Sequence, residues 1–123
     1  MSTRFQKLAA DTKTRITEID IAAYKKQAAS PTPPLLIDVR DAEEFAAGHP
    51  VGAIHASRGT LEGKIEDIAP DVTTPIVLSC AGGNRSAFAA ESLQKMGYTN
   101  VASLIGGYRA WTQSGEPVVK SAS

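Results

Sequence analysis

Two short apolar runs, Leu35 to Val39 and Ile76 to Ser79, constrain what this chain can fold into more than any other feature. The first is interrupted only by Asp38. A strand apolar on both faces has to be covered on both faces, which is the situation of a parallel sheet sandwiched between helices. The segments around the two runs supply those helices. Arg15 to Thr17 is expected to open a first strand, and Thr17 to cap a helix reaching about Ala29, with Ile19, Ala22, Ala23 and Lys26 spaced for one face. Three prolines between Ser30 and Pro34 stop it. Asp41 to Ala47 reads as a short helix with Asp41 as cap and Glu44 three residues on, closing at Gly48. Gly52 to Ala56 is predicted as a short strand and Leu61 to Ile68 as a helix. Cys80 to Asn84 is predicted as a loop and Arg85 or Ser86 to Met96 as a helix stopped by Gly97. Val101 to Leu104 is predicted as the last strand and Tyr108 to Ser114 as the last helix. Strand and helix in alternation predict an α/β fold: an open, mostly parallel sheet of about five strands flanked by helices on both faces.

Length and charge narrow the function classes. A chain of 123 residues is one ordinary domain, with residues 1–14 expected as a flexible extension, 15–118 as the domain and 119–123 as a tail. Thirteen basic and thirteen acidic residues cancel, so no net field draws the chain to nucleic acid or to a membrane surface. Any anion site must therefore be local. No apolar stretch approaches membrane-span length, no signal peptide is evident, and a reducing cytosol is the expected compartment. The single cysteine, Cys80, cannot form an intramolecular disulfide, and with only His49 and His55 beside it no metal site is expected.

The chemistry points to Cys80. It ends an apolar strand, and Ala81-Gly82-Gly83-Asn84-Arg85-Ser86 follow before a helix begins. Glycines let the backbone turn tightly and aim successive N–H groups into one hollow. The helix that starts there turns its unbonded N–H groups and positive dipole end to the same hollow, and Arg85 adds a fixed charge. Each of these features favours a thiolate over a thiol, which is the condition of a cysteine nucleophile. A lone buried cysteine is otherwise an ordinary small core residue, but a core position needs neither two glycines nor an adjoining arginine. No Walker or dinucleotide glycine pattern is present.

In these residues the sequence resembles the rhodanese family of sulfurtransferases. The matching pieces are Leu36-Ile37-Asp38-Val39-Arg40, Glu44 to His49, Gly52-Ala53-Ile54, Cys80 to Ser86, Gly97-Tyr98 with Asn100-Val101, and Leu104 with Gly106-Gly107 and Trp111. The resemblance runs from about Ile16 to Pro117. It implies a Cys80 persulfide that takes sulfur from thiosulfate or a persulfide donor. The sulfur then passes to cyanide or a thiol, including a protein thiol, with no cofactor. Ala81, Gly82, Gly83, Asn84 and Arg85 are then the substrate-binding loop. Related phosphatases and arsenate reductases have five residues between cysteine and arginine, whereas four separate Cys80 from Arg85. A non-enzymatic sulfur carrier or interaction module is the alternative, and a cysteine phosphatase or arsenate reductase a more distant one. Pro50 and Val51 depart from the family's usual turn after His49, and Ala81 and Gly82 stand where several relatives have basic or hydroxyl side chains.

Further expectations attach to single residues. Arg58, just past the Gly52–Ala56 strand, is a candidate anion contact, with a solvated charge as the plainer alternative. Asp38 and Ser86 are candidates for supporting the loop. For Asp38 the choice lies between bracing the loop through its N–H groups and closing a local turn. Arg40 with Glu44 reads as a structural ion pair, His49 and His55 as structural positions, and Trp111 as core.

Overall fold

The computed structural model describes residues 2–120. In chain order the elements are α1 (Arg4–Lys13), β1 (Thr17–Ile19), α2 (Ile21–Ala28), β2 (Leu35–Asp38), α3 (Ala42–Ala47), β3 (His49–Pro50), β4 (Ile54–His55), α4 (Leu61–Ile68), β5 (Ile76–Ser79), α5 (Asn84–Lys95), β6 (Val101–Leu104), α6 (Gly107–Gln113) and β7 (Val118–Val119). Five strands form an all-parallel sheet in the order β1-β6-β5-β2-β4, so β5 is central and its neighbours are β6 and β2.

Side chains alternate across that sheet and divide the core in two. Ile37, Ile76 and Leu78 point to one face, where they meet Leu61 and Ile65 of α4 and Ala89, Ala90 and Leu93 of α5. Leu36 and Val77, one residue out of phase, point to the other, where Trp111 of α6 packs with Tyr24 of α2. Cys80 keeps the phase of Ile76 and Leu78 and falls on the α4–α5 side. β5 is buried along its length and β2 from Leu36 onward, as their apolar composition requires.

Three local expectations are corrected. Residues 4–13, assigned to a flexible extension, form α1, which packs against α5. Thr3 and Gln6 cap it reciprocally; Ala9 and Thr12 are its buried residues, and the Phe5 ring packs against Phe88 of α5 with centroids 5.8 Å apart. Thr17 is a strand residue. The cap of α2 is Asp20, whose carboxylate accepts the Ala23 N–H. The third correction concerns His49 and Pro50. They pair antiparallel with Val118 and Val119 in a small separate ribbon, so β7 takes in the start of the expected tail, while residues 121–123 lie outside the described residues. No described helix is long and apolar enough to cross a membrane.

Candidate active site

Cys80 follows the last residue of the central strand, at the carboxyl edge where parallel sheets place their ligand sites. The chain turns through Ala81, Gly82 and Gly83 and enters α5 at Asn84. Gly83 has φ 100°, a left-handed conformation that a side chain disfavours, and a Cβ there would lie 3.2 Å from the Gly106 nitrogen. With that turn made, the Gly83 N–H points back to the Cys80 sulfur at 3.0 Å. Ser86, on the first turn of α5, places Oγ 3.4 Å from the same sulfur and 2.8 Å from Ser103 Oγ on β6.

The first turn of α6 holds the loop from the other side. Tyr108 N donates to the Cys80 carbonyl at 2.7 Å and Arg109 N to the Ala81 carbonyl at 3.0 Å. With two carbonyls drawn towards α6, the N–H groups of Ala81, Gly82, Asn84 and Arg85 are left without an acceptor among the described residues. Such a row of unbonded amides is a seat for negative charge. Above it lies a cavity of about 240 Å³ lined by Phe5, Cys80, Ala81, Gly82, Asn84, Arg85 and Arg109. The residue Cys80 is only 1% exposed, so its sulfur stands at the floor of that cavity rather than on the surface.

The structure thus gathers the loop residues expected from sequence, together with Ser86. Other contacts are made differently. Asp38 accepts from the Arg40 backbone at 3.0 Å and from its guanidinium at 2.8–3.1 Å, closing a local turn instead of reaching the Cys80 loop. Arg40 is therefore the partner of Asp38, not of Glu44, and it also donates to the Gly48 carbonyl at 2.7 Å while lying over the Tyr108 ring. The pair is buried, so each charge is compensated only by the other and by these fixed dipoles. Arg58 is absent from the cavity lining. Its guanidinium is held by Glu62, one helical turn on, at 2.8 Å and by Ser92 Oγ at 3.0 Å. Two lining residues were not anticipated, Phe5 and Arg109, because each comes from a helix remote in sequence from the cysteine. No group of three or more His, Cys, Asp or Glu side chains that could hold a metal ion occurs among the described residues.

Arg85 is engaged by Glu44, with contacts of 2.8 and 3.0 Å to the two carboxylate oxygens. Glu44 Oε1 also accepts the Asp41 N–H at 3.1 Å, so one carboxylate caps α3 and anchors the guanidinium at the loop. Chiefly through the Arg85 hydrogen bonds, the Glu44 carboxyl is drawn down from its ordinary 4.5 to about 2. A depressed carboxyl stabilises the fold above its unfolded value, and that contribution is lost as pH falls from 4.5 towards 2. Both partners are about one-third exposed, so water screens the pair and roughly 0.5–1 kcal/mol is the expected size. Urea unfolding of wild type and Glu44→Gln should therefore differ by about that amount at pH 6 and converge near pH 2. A difference independent of pH would remove the ion pair as its source.

Residues 20–114 match the Rhodanese-like domain family. The chain belongs to that family. Similar solved structures agree with the assignment. A Wolinella succinogenes polysulfide-sulfur transferase homodimer is 27% identical with a TM-score of 0.80, over 96% of this chain and 88% of that one. A Rhodopseudomonas palustris protein of unknown function, described as a possible tyrosine phosphatase, is 30% identical with a TM-score of 0.81, over 97% and 96%. A Pseudomonas aeruginosa thiosulfate sulfurtransferase, at 22% identity and TM-score 0.81, shares the fold; the match covers 92% of this chain and 22% of that longer one. In this rhodanese-like domain the segment from Cys80 to Arg85 leads from the carboxyl end of β5 into the first turn of α5.

Proposed function

We propose that the protein is a sulfurtransferase in which Cys80 cycles between thiolate and persulfide. The observation that carries this reading is the chain's only cysteine at the floor of a cavity, with one N–H on its sulfur and the neighbouring N–H groups of Ala81, Gly82, Asn84 and Arg85 without an acceptor among the described residues. With thiosulfate as donor, the Cys80 thiolate attacks the outer sulfur and forms a new S–S bond. The donor's own S–S bond breaks and its electron pair leaves with sulfite. The negative terminal sulfur of the persulfide then lies among the amides of Ala81, Gly82, Asn84 and Arg85, which stabilise it as an oxyanion hole stabilises oxygen. Cyanide or a thiolate attacks that outer sulfur, and the pair from the breaking S–S bond returns to Cys80 as thiolate. Every electron stays in the sulfur atoms and their partners, so the cycle requires no cofactor. A small anionic or persulfide donor and a cyanide, small-thiol or protein-thiol acceptor fit this cycle. A reducing compartment such as the cytosol would keep the resting thiol free.

Intact mass spectrometry tests the reading directly. Incubation with thiosulfate should add one sulfur, about 32 Da, to wild type and nothing to Cys80→Ser, and cyanide should remove it. A wild-type mass unchanged by thiosulfate and by polysulfide would leave a binding module as the better account. The Rhodopseudomonas relative's description raises phosphoryl transfer as a second chemistry. Against it stand the four-residue spacing from Cys80 to Arg85 and the engagement of both terminal nitrogens of Arg85 by Glu44.

A further inference from the structure

Three cationic side chains stand near the Cys80 loop, and they are not equivalent. Lys13 of α1 donates to Asn84 Oδ1 at 2.9 Å and is not part of the cavity lining. Arg85 lines the cavity, but Nη1 and Nη2 are both bonded to Glu44. Arg109 lines the cavity and has no acidic partner within ion-pair distance among the described residues. Its position is set from both ends. The Arg109 N–H is bonded to the Ala81 carbonyl, and its guanidinium lies over Gly82, where an added Cβ would come within 3.3 Å of Nη1. Phe5 of α1 supplies an apolar part of the lining.

We propose that Arg109 is the residue that selects for an anionic group on the molecule approaching Cys80, and that Arg85 serves as a positioning residue held by Glu44. As a statement about sulfur donors this rests on the sulfurtransferase reading above. As a statement about charge at the cavity it does not. The physical need is plain: a thiolate and a thiosulfate dianion repel each other, and the loop amides alone address only the sulfur that is transferred. A planar guanidinium with free N–H groups can take two oxygens of a sulfonate-like group in a fork, which a lysine ammonium cannot reproduce. The absence of a side chain at Gly82 leaves the guanidinium close to the loop it serves.

Alkylation of Cys80 separates this from the sulfur chemistry. Iodoacetate and iodoacetamide attack the same thiolate, each forming a C–S bond as iodide leaves, and differ in the negative charge of the reagent. Arg109→Gln should slow iodoacetate about tenfold while changing the iodoacetamide rate by less than about twofold. Arg109→Lys should recover part of the loss. Lys64→Gln, which removes the same charge from the exposed surface of α4, should leave the ratio of rates unchanged. With thiosulfate, Arg109→Gln should raise KM about tenfold with kcat nearly constant, the mark of lost donor binding. An iodoacetate-to-iodoacetamide ratio unmoved by Arg109→Gln, or moved equally by Lys64→Gln, overturns the proposal. So does a Cys80 that neither reagent reaches. If the ratio falls as expected and wild type carries no sulfur, the anion seat stands and the sulfurtransferase reading fails. If wild type turns over thiosulfate and Arg109→Gln changes neither KM nor the ratio, the reverse holds.

Discussion

A Cys80→Ala protein is expected to fold as wild type does and to release no thiocyanate from thiosulfate and cyanide. The chain has no second cysteine to take over, so the loss should reach the uncatalysed background, about a thousandfold or more below wild type. Folding should survive because the change removes one sulfur from a packed position without adding volume. The core cluster that holds Cys80 keeps its large members, Ile37, Leu61, Leu78 and Leu93 among them, and a cost of about 1–2 kcal/mol is expected. Ser86 would lose its sulfur neighbour at 3.4 Å but keep Ser103 at 2.8 Å, so the one group left without its partner is the Gly83 N–H, bonded to the sulfur at 3.0 Å in wild type. Thiocyanate release, thermal unfolding and circular dichroism on the same preparation check both halves. Activity retained in a folded Cys80→Ala protein would end the persulfide mechanism, whatever the family relationship.

Gly107→Ala is expected to be the most damaging conservative change in the molecule. Gly107 has φ 50°, and a Cβ there would lie 2.2 Å from the Cys80 carbonyl oxygen and 2.9 Å from its carbon, both backbone atoms that no rotamer can clear. The left-handed conformation alone costs an alanine about 1–2 kcal/mol. Relief of the clash requires α6 and the loop to part, which stretches the bonds from Tyr108 and Arg109 to the carbonyls of Cys80 and Ala81. A total of about 3 kcal/mol or more is expected, lowering Tm by on the order of 10 °C. Gly115→Ala is the control, because Gly115 has φ 73° with nothing within 4 Å of the added atom, and it should show the conformational cost alone. Equal effects of the two substitutions would mean that α6 does not press on the loop as described. The expected loss of sulfur transfer in whatever Gly107→Ala protein remains folded follows from the same movement, since the loop carbonyls would turn and their amides with them.

Because Glu44 both caps α3 and holds Arg85, the short α3 helix is tied to the mouth of the cavity through a single carboxylate. A substitution that merely shortens this side chain would lose a cap and a guanidinium anchor together.

Local signals settled a good part of the fold. Ile76–Ser79, Leu61–Ile68 and Val101–Leu104 have the bounds their patterns predict, since apolar runs and helical spacing are written over a few consecutive residues. The Cys80-to-Ser86 segment was legible for the same reason: a glycine turn opening a helix is a property of neighbouring residues. Helix α1 was missed although Phe5, Leu8, Ala9 and Thr12 recur at helical spacing: only Ala9 and Thr12 are buried, and the surface of α5 that the helix covers is supplied by the fold. The β3–β7 ribbon pairs two residues with two others far along the chain, too short for any periodicity to register. The ion pairs could not be assigned from spacing. Glu44 is placed for Arg40 by sequence but meets Arg85, 41 residues away, because α3 and the start of α5 converge at the sheet's carboxyl edge. Arg109 and Phe5 enter the site on the same terms. The sequence by itself thus determined the sheet, the cysteine and its cradle, all of which follow from short-range backbone preference and hydrophobic period. Only the tertiary structure decided which charges face that cradle, since a long flexible cation takes whichever partner folding brings within reach.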